Sequence, residues 1–255
     1  MRRFAFLDAP APLAFAHRGG AAEGDENTAE AFARAVALGY RYVETDVHAT
    51  TDGVPVVFHD SSLLRLTGTD GRIGALSWPD LRTVRIGGAA AIPRLDEVLD
   101  AWPTIRFNID VKAEAGAEPT VAAVRRAGAN ERVLLASFSD RRLARLRALA
   151  GPEVATSMGP AWVARLRLAS LAGVRVSPPP SVAAAQVPVR QGPVTIVDRR
   201  FVTTAHRSGL QVHVWTVDDP DEMNRLLDLG VDGIMTDRLD VLRNVYRTRH
   251  IWPGE

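Results

Sequence analysis

Short apolar runs rich in Val, Ile and Leu alternate with stretches of helical spacing along nearly the whole chain. Runs bounded by turn residues predict strands, and the 3.6-residue pattern between them predicts helices. Strands are expected at Leu13 to His17, Tyr42 to Val47, Ile105 to Val111, Val133 to Ser137, Val154 to Ser157, Val212 to Val217 and Gly233 to Thr236. One more must lie between Val174 and Val197, at Ala185 to Val187 or at Val194 to Val197. The first helix starts at Asn27, with Glu30 three residues later as in a capping box, and stops at Gly39. Others are expected at Glu118 to Ala127, Asp140 to Leu149, Ala161 to Leu171, Arg199 to Ser208, Pro220 to Leu229 and Leu239 to Tyr246. Strands interleaved with helices make parallel βαβ units, and about eight of them in about 250 residues fit an α/β chain folded as a (β/α)8 TIM barrel.

Two stretches break the pattern. Val54 to His59 looks like a strand, yet only Thr50 to Gly53 separates it from its predecessor, too little for a parallel crossover. It should fold back as a hairpin on an Asp52-Gly53 turn and open a small insertion over about 54–93. The stretch Ser177 to Gly192, with SPPPS and VPVRQG, fits neither period.

Composition narrows the class. The chain has 255 residues, 46% of them hydrophobic, with no low-complexity tract or repeat, so one domain over 1–255 is expected. Its formal net charge is +1 and its arginines are interleaved with acids, which argues against nucleic acid as a partner. Cysteine is absent, which removes disulfides and thiolate metal sites and is compatible with the cytoplasm. The start, MRRFAFLDAPAPLAFAHRGG, is too broken by proline for a signal peptide or membrane span, so no stable membrane insertion is expected. Oligomeric state leaves no mark.

The basic side chains are arginines with one exception, Lys112. Period-2 alternation puts Asn108, Asp110 and Lys112 on one face of their strand, opposite Phe107, Ile109 and Val111. Carboxyl ends of barrel strands are where catalytic groups collect. There the first strand brings His17 and Arg18, the second Glu44, Asp46 and His48, the hairpin His59 and Asp60, and the third strand Asp110 and Lys112. Carboxylates spaced i, i+2 inside a barrel need a cation or hydrogen bonds to offset their repulsion. A hard divalent ion, Mg2+ or Ca2+, held by Glu44, Asp46 and Asp110 meets that need. Arg18 and Lys112 beside it would complement a phosphate, and His17 and His59 suit general acid and base roles.

The chain resembles the glycerophosphodiester phosphodiesterase (GDPD) family. The matching pieces, in family order, are AHRGG (16–20), ENTAEAF (26–32), VETDVHATTDGVPVVFHD (43–60), FNIDVK (107–112), ASF (136–138), VHVWTV (212–217) and GVDGIMTDRLD (230–240), with a weaker match from 63 to 99. The resemblance implies metal-dependent hydrolysis of a small glycerophosphodiester to sn-glycerol 3-phosphate and an alcohol. It implies His17 and His59 as the catalytic pair, Glu44, Asp46 and Asp110 as metal ligands, Arg18 and Lys112 as phosphate contacts and Trp215 as a pocket residue. The family usually has Glu where Asp110 stands, and the shorter acid could reach the metal through water or shift its preference.

The remaining candidates carry less. Glu26 can pair with Arg18, and helix capping accounts for Asn27. His48 is expected in a solvated loop beyond its strand and His213 in the core, while His206 and His250 carry no motif. Gln186 and Arg190 would contact substrate if the sixth strand ends there. A second enzymatic reading is lysophospholipase D or phosphodiester lyase action on a lipid, which long apolar loops would favour; the segment Ser61 to Pro93 is short and mostly polar. A non-catalytic phosphate-binding barrel would be expected to lack a histidine or an acidic ligand. An amidohydrolase-type metal barrel is disfavoured because no His-x-His closes the first strand.

Overall fold

The computed structural model describes residues 4–253. Met1 to Arg3, the first residues of the stretch too broken for a signal peptide, lie outside the described residues. The chain runs through β1 (Leu13–Ala16), α1 (Ala29–Ala37), β2 (Tyr42–Ala49), β3 (Pro55–Val57), α2 (Leu64–Thr67), α3 (Trp78–Leu81), β4 (Arg85–Ile86), β5 (Ala90–Ala91), α4 (Leu95–Ala101) and β6 (Arg106–Val111). It continues with α5 (Ala117–Arg126), β7 (Val133–Ala136), α6 (Asp140–Ala150), β8 (Ala155–Ser157), α7 (Pro160–Ala172) and β9 (Val182–Pro188). The last elements are β10 (Arg190–Gln191), β11 (Val194–Thr195), α8 (Arg199–Arg207), β12 (Gln211–Trp215), α9 (Pro220–Leu229), β13 (Gly233–Thr236) and α10 (Leu239–Thr248).

The sheet order β1-β13-β12-β9-β8-β7-β6-β2, closed by the parallel β1–β2 pairing, is the expected eight-stranded barrel. Closure sorts side chains by parity along each strand. Val43 and Val47 of β2, with Phe107, Ile109 and Val111 of β6, point outward into the layer under the helices. Leu13 and Phe15 of β1, Tyr42, Leu134 and Met235 fill the lower lumen. Phe4 and Phe6 join this inner core from the amino-terminal side, where Phe6 accepts a 2.8 Å hydrogen bond from the Tyr42 hydroxyl. With the bottom packed, the inward positions one layer higher are free to be polar.

The hairpin forms as expected. Strand β3 pairs antiparallel with the end of β2, Val47 opposite Val57, and Gly53 supplies the left-handed turn residue at φ 77°. The insertion that follows has its own small core of Val56, Phe58, Leu63, Ile73, Leu81, Ile86 and Ile92.

Locally, one open alternative is decided, one helix is added and one cap moves. The sixth strand is β9, which contains Ala185 to Val187; Val194 and Thr195 instead form an antiparallel hairpin with Arg190 and Gln191. Helix α4 has no counterpart in the sequence pattern, because Leu95–Ala101 is only 7 residues long and no side chain caps it. Helix α1 is capped by Thr28, whose hydroxyl accepts from the Ala31 amide at 3.1 Å, one residue after the expected Asn27.

Candidate active site

Asn27 is free for other work because Thr28 takes the cap. It is fully buried at φ 61°, a left-handed conformation uncommon outside glycine. Its side-chain amide donates to Asp46 Oδ2 at 2.9 Å, and its carbonyl oxygen accepts from the Thr45 hydroxyl at 2.7 Å. Arg18 is likewise left-handed at φ 52°. Gly19 follows at φ 82°, where a Cβ would stand 2.7 Å from the Phe32 ring. Two non-glycine residues in this conformation beside the same carboxylates are strain that the surrounding packing must hold.

His17 ends β1 with Nδ1 2.7 Å from Asp237 Oδ1, at the end of the neighbouring β13. Its Nε2 therefore faces the lumen, 3.7 Å from Glu44 Oε2. Burial alone would lower the pKa of His17, but Glu44 and Asp237 outweigh it and raise it. His59 is built the same way, with Nδ1 2.5 Å from Asp60 Oδ1. Each imidazole thus has a carboxylate at Nδ1 and lines the cavity.

The floor between them is anionic. Burial and the neighbouring Asp46 push Glu44 up to about 7. Asp46, although equally buried, is held below its usual range by Lys112 and Arg18. Asp110 is raised, burial outweighing Lys112, and its Oδ1 is a buried oxygen without a hydrogen-bond partner. The Lys112 ammonium bridges Asp46 Oδ1 at 2.7 Å and Asp110 Oδ2 at 2.6 Å, with the Phe138 ring 5.5 Å away. Arg18 donates Nη1 to Glu26 at 2.9 Å, whereas its buried Nε is 3.2 Å from Asp46 without hydrogen-bond alignment.

Three hard-oxygen carboxylates, one with an orphaned oxygen and one pushed toward protonation, are the donor chemistry a divalent cation satisfies. Among the described residues no three acidic or imidazole groups are already gathered as a coordination cage. Lys112 fills the space between two of the three carboxylates.

These groups open into a cavity of about 790 Å³ that also meets Gln186 and Trp215. One wall is apolar: Met158, then Val163, Ala164 and Leu168 on α7, and Val194 and Ile196 from the β10–β11 hairpin. Phe138 packs edge-on to Trp215 at 5.4 Å beside it.

His17, Arg18, Glu44, Asp46, His59, Asp110, Lys112 and Trp215 all line this one cavity. Glu26 does not; it stands behind Arg18. Gln186 lines it with its amide committed to Asn108 at 3.2 Å and to His213 at 3.3 Å. Arg190 turns away and donates to the Pro193 carbonyl of its own hairpin. His48 is no loop residue: β2 runs on to Ala49, and buried His48 meets the His59 carbonyl oxygen through Nε2 at 3.0 Å, bracing the hairpin. His213 is fully buried and pushed down to about 4 by burial, a neutral core residue.

The sequence pattern marks no role for Asp237, Arg65 or the α7 wall, and gives Asn27 only the helix cap that Thr28 takes. Asp237 was findable, since barrel closure puts the end of the last strand beside the first. The wall was not, because apolar residues and arginines alternate around α7 and no single face stands out.

The model of the glycerophosphoryl diester phosphodiesterase family matches residues 17–241. A Mycobacterium tuberculosis protein named "Probable glycerophosphodiester phosphodiesterase 2" is 42% identical over 255 residues, covering 98% of this chain and 96% of its own. A solved structure from Silicibacter pomeroyi, 25% identical, aligns with TM-score 0.81 over 98% of this chain and 99% of that one. The Oleispira antarctica phosphodiesterase solved with the product sn-glycerol-3-phosphate is also 25% identical, with TM-score 0.76 over 93% and 97%. The family match spans the His17 to Asp237 site from end to end, and with it this chain belongs to the glycerophosphoryl diester phosphodiesterase family.

Proposed function

We propose that this protein hydrolyses glycerophosphodiesters to sn-glycerol 3-phosphate and an alcohol, with His17 and His59 as the acid–base pair. The observation that carries the reading is the paired imidazoles, each backed by a carboxylate, above three buried carboxylates and two cations. Glu44, Asp46 and Asp110 would hold a divalent ion, Mg2+ or Ca2+, which when bound supplies positive charge to the phosphate oxygens. Arg18 and Lys112 bind the non-bridging oxygens and offset the charge that grows there. His17, whose imidazolium is favoured by Glu44 and Asp237, gives its Nε2 proton to the leaving alcohol. His59 takes the proton of the attacking nucleophile, either water or a neighbouring glycerol hydroxyl that first closes a cyclic phosphate. The test is release of sn-glycerol 3-phosphate from a panel of glycerophosphodiesters after metal is stripped and Mg2+, Ca2+ or Mn2+ restored. No release with any of them overturns the reading.

The metal assignment has a signature apart from turnover. A buried acid raised to about 7 favours the folded state below its unfolded pKa and loses that contribution as pH rises through the folded value. With chelator, the protein is expected to lose about 1 kcal/mol between roughly pH 6 and 8, seen as a fall of about 2–4 °C in Tm. Asp110 and His17, also raised, act with the same sign. A saturating divalent ion competes with these protons, so its stabilisation should grow over the same window. A Tm gain that stays flat with pH would remove the buried carboxylates as ligands.

The apolar wall supports a second reading, in which a chain-bearing substrate such as a lysophospholipid is also taken. Leu168 is 67% exposed and Phe138 62%, both beside the cavity rather than buried against the barrel. Contiguous exposed apolar surface of this kind marks a binding site. Leu168→Asp is expected to raise KM for a lysophospholipid about 10-fold more than for glycerophosphocholine. Equal KM changes would leave the wall without a chain to bind.

A further inference from the structure

The insertion after β3 brings one side chain back to the site. Arg65, on α2, donates Nη2 and Nη1 to the two oxygens of Glu26 at 2.7 and 3.0 Å. The same guanidinium donates Nε and Nη2 to the two oxygens of Asp60 at 2.6 and 3.1 Å. Behind these acids stand two groups that line the cavity. Asp60 backs His59 Nδ1 at 2.5 Å, and Glu26 accepts from Arg18 Nη1 at 2.9 Å. Arg65 itself does not line the cavity.

We propose that Arg65 is a positioning residue: its guanidinium clamps Asp60 to Glu26, and through them fixes His59 and Arg18 in the geometry from which they act on the phosphodiester. The proposal rests on the phosphodiesterase reading above.

A planar fork can satisfy two carboxylates at once, and a point charge cannot. Holding Asp60 by both oxygens orients the one that receives the His59 Nδ1 proton, which fixes the tautomer with Nε2 toward substrate. Hydrogen bonds from Arg65 bring Asp60 down to about 2, so it is an acceptor throughout the working range. On the other arm, Arg65 engages both Glu26 oxygens and leaves Arg18 a single contact with that acid. Without Arg65, Glu26 is free to grip Arg18 with both oxygens and withdraw donors from the phosphate. Arg65 is half exposed, its pair with Asp60 is exposed, and buried Glu26 keeps Arg18 as a partner without it, so its effect falls on position more than on folding.

The test is steady-state kinetics of the full chain on glycerophosphocholine with its metal. Arg65→Ala is expected to lower kcat about 10- to 100-fold and to raise KM, with Tm almost unchanged. Arg65→Lys should stay impaired, whereas added guanidinium should restore part of the kcat lost in Arg65→Ala, since the vacated place is open to solvent. The arms separate: Asp60→Asn lowers kcat, Glu26→Gln raises KM, and Arg65→Ala added to Asp60→Asn costs little further kcat. Kinetic constants of Arg65→Ala within about two-fold of wild type overturn the clamp. So does a loss that follows a lowered Tm and ignores guanidinium. If the wild type cleaves no glycerophosphodiester, the functional reading fails and the clamp is judged by proton NMR alone. A slowly exchanging His59 Nδ1–H signal that vanishes in Arg65→Ala upholds it, and one that persists overturns it.

Discussion

His17→Ala and His59→Ala are each expected to lower kcat on glycerophosphocholine about 10²- to 10⁴-fold while the protein remains folded and binds metal. His59 lies at the rim of the cavity, and His17 adds one hydrogen bond to Asp237, so neither replacement opens the apolar core. The leaving group separates the two roles. The alkoxide of an alcohol such as choline is a strong base and leaves poorly unless it receives a proton, whereas 4-nitrophenolate leaves without one. With a 4-nitrophenyl phosphodiester, His17→Ala should recover most of its rate and His59→Ala should not. The opposite pattern would exchange acid and base, and full activity of either variant on the choline ester removes the assignment. The double variant should be about as slow as the worse single one, because the two groups act in one step.

The pairing behind this prediction was half legible in the sequence. His17 and His59 stand in motifs at strand ends, and the parity of β2 and β6 puts Glu44, Asp46 and Asp110 on the lumen side; all follow from period-2 alternation. The carboxylates behind the histidines follow from different facts. Asp60 is the next residue after His59, but that an adjacent side chain curls back to Nδ1 depends on the backbone after β3. Asp237 is separated from His17 by 220 residues and meets it only because β13 pairs with β1.

The misread elements share a cause in short-range competition. Asn27 and Thr28 are both good caps, and sequence alone does not say which one the chain uses. Buried Asp46 decides it, since it needs the Asn27 amide and leaves the cap to Thr28. His48 looked like a loop residue because the turn at Asp52-Gly53 suggested an earlier strand end. The hairpin instead extends β2 to Ala49 and buries the ring against the His59 carbonyl. The α7 wall is hidden by the mixing of apolar and basic residues around the helix. Leu166 and Ala169 are buried while Val163, Ala164 and Leu168 line the cavity, and Arg165 and Arg167 are interleaved among them, so the apolar residues form no single stripe that marks a wall.

Lys112→Arg, a mild change at an exposed basic position, is expected to lower kcat/KM about 10²-fold here. The ammonium is compact enough to stand 2.7 and 2.6 Å from two carboxylates on adjacent strands with the Phe138 ring 5.5 Å away. Burial works against its charge, and Asp46 and Asp110 more than compensate, so the pKa is raised and the charge is kept. A guanidinium is wider and planar, and would have to displace Phe138 or push Asp110 from its place between strands. Either shift moves the proposed phosphate contact and the proposed metal ligands together. Lys112→Met separates the two proposed roles, because it removes the ammonium without adding bulk between the acids. It should bind a divalent ion at least as tightly as wild type, since no ammonium competes for Asp46 and Asp110, yet lose activity more severely than Lys112→Arg. Metal affinity is measured by calorimetry on the stripped protein and activity by sn-glycerol 3-phosphate release. If Lys112→Arg keeps full kcat/KM, the solitary lysine is not a phosphate contact; if Lys112→Met loses metal, it supports the ligands rather than opposing them.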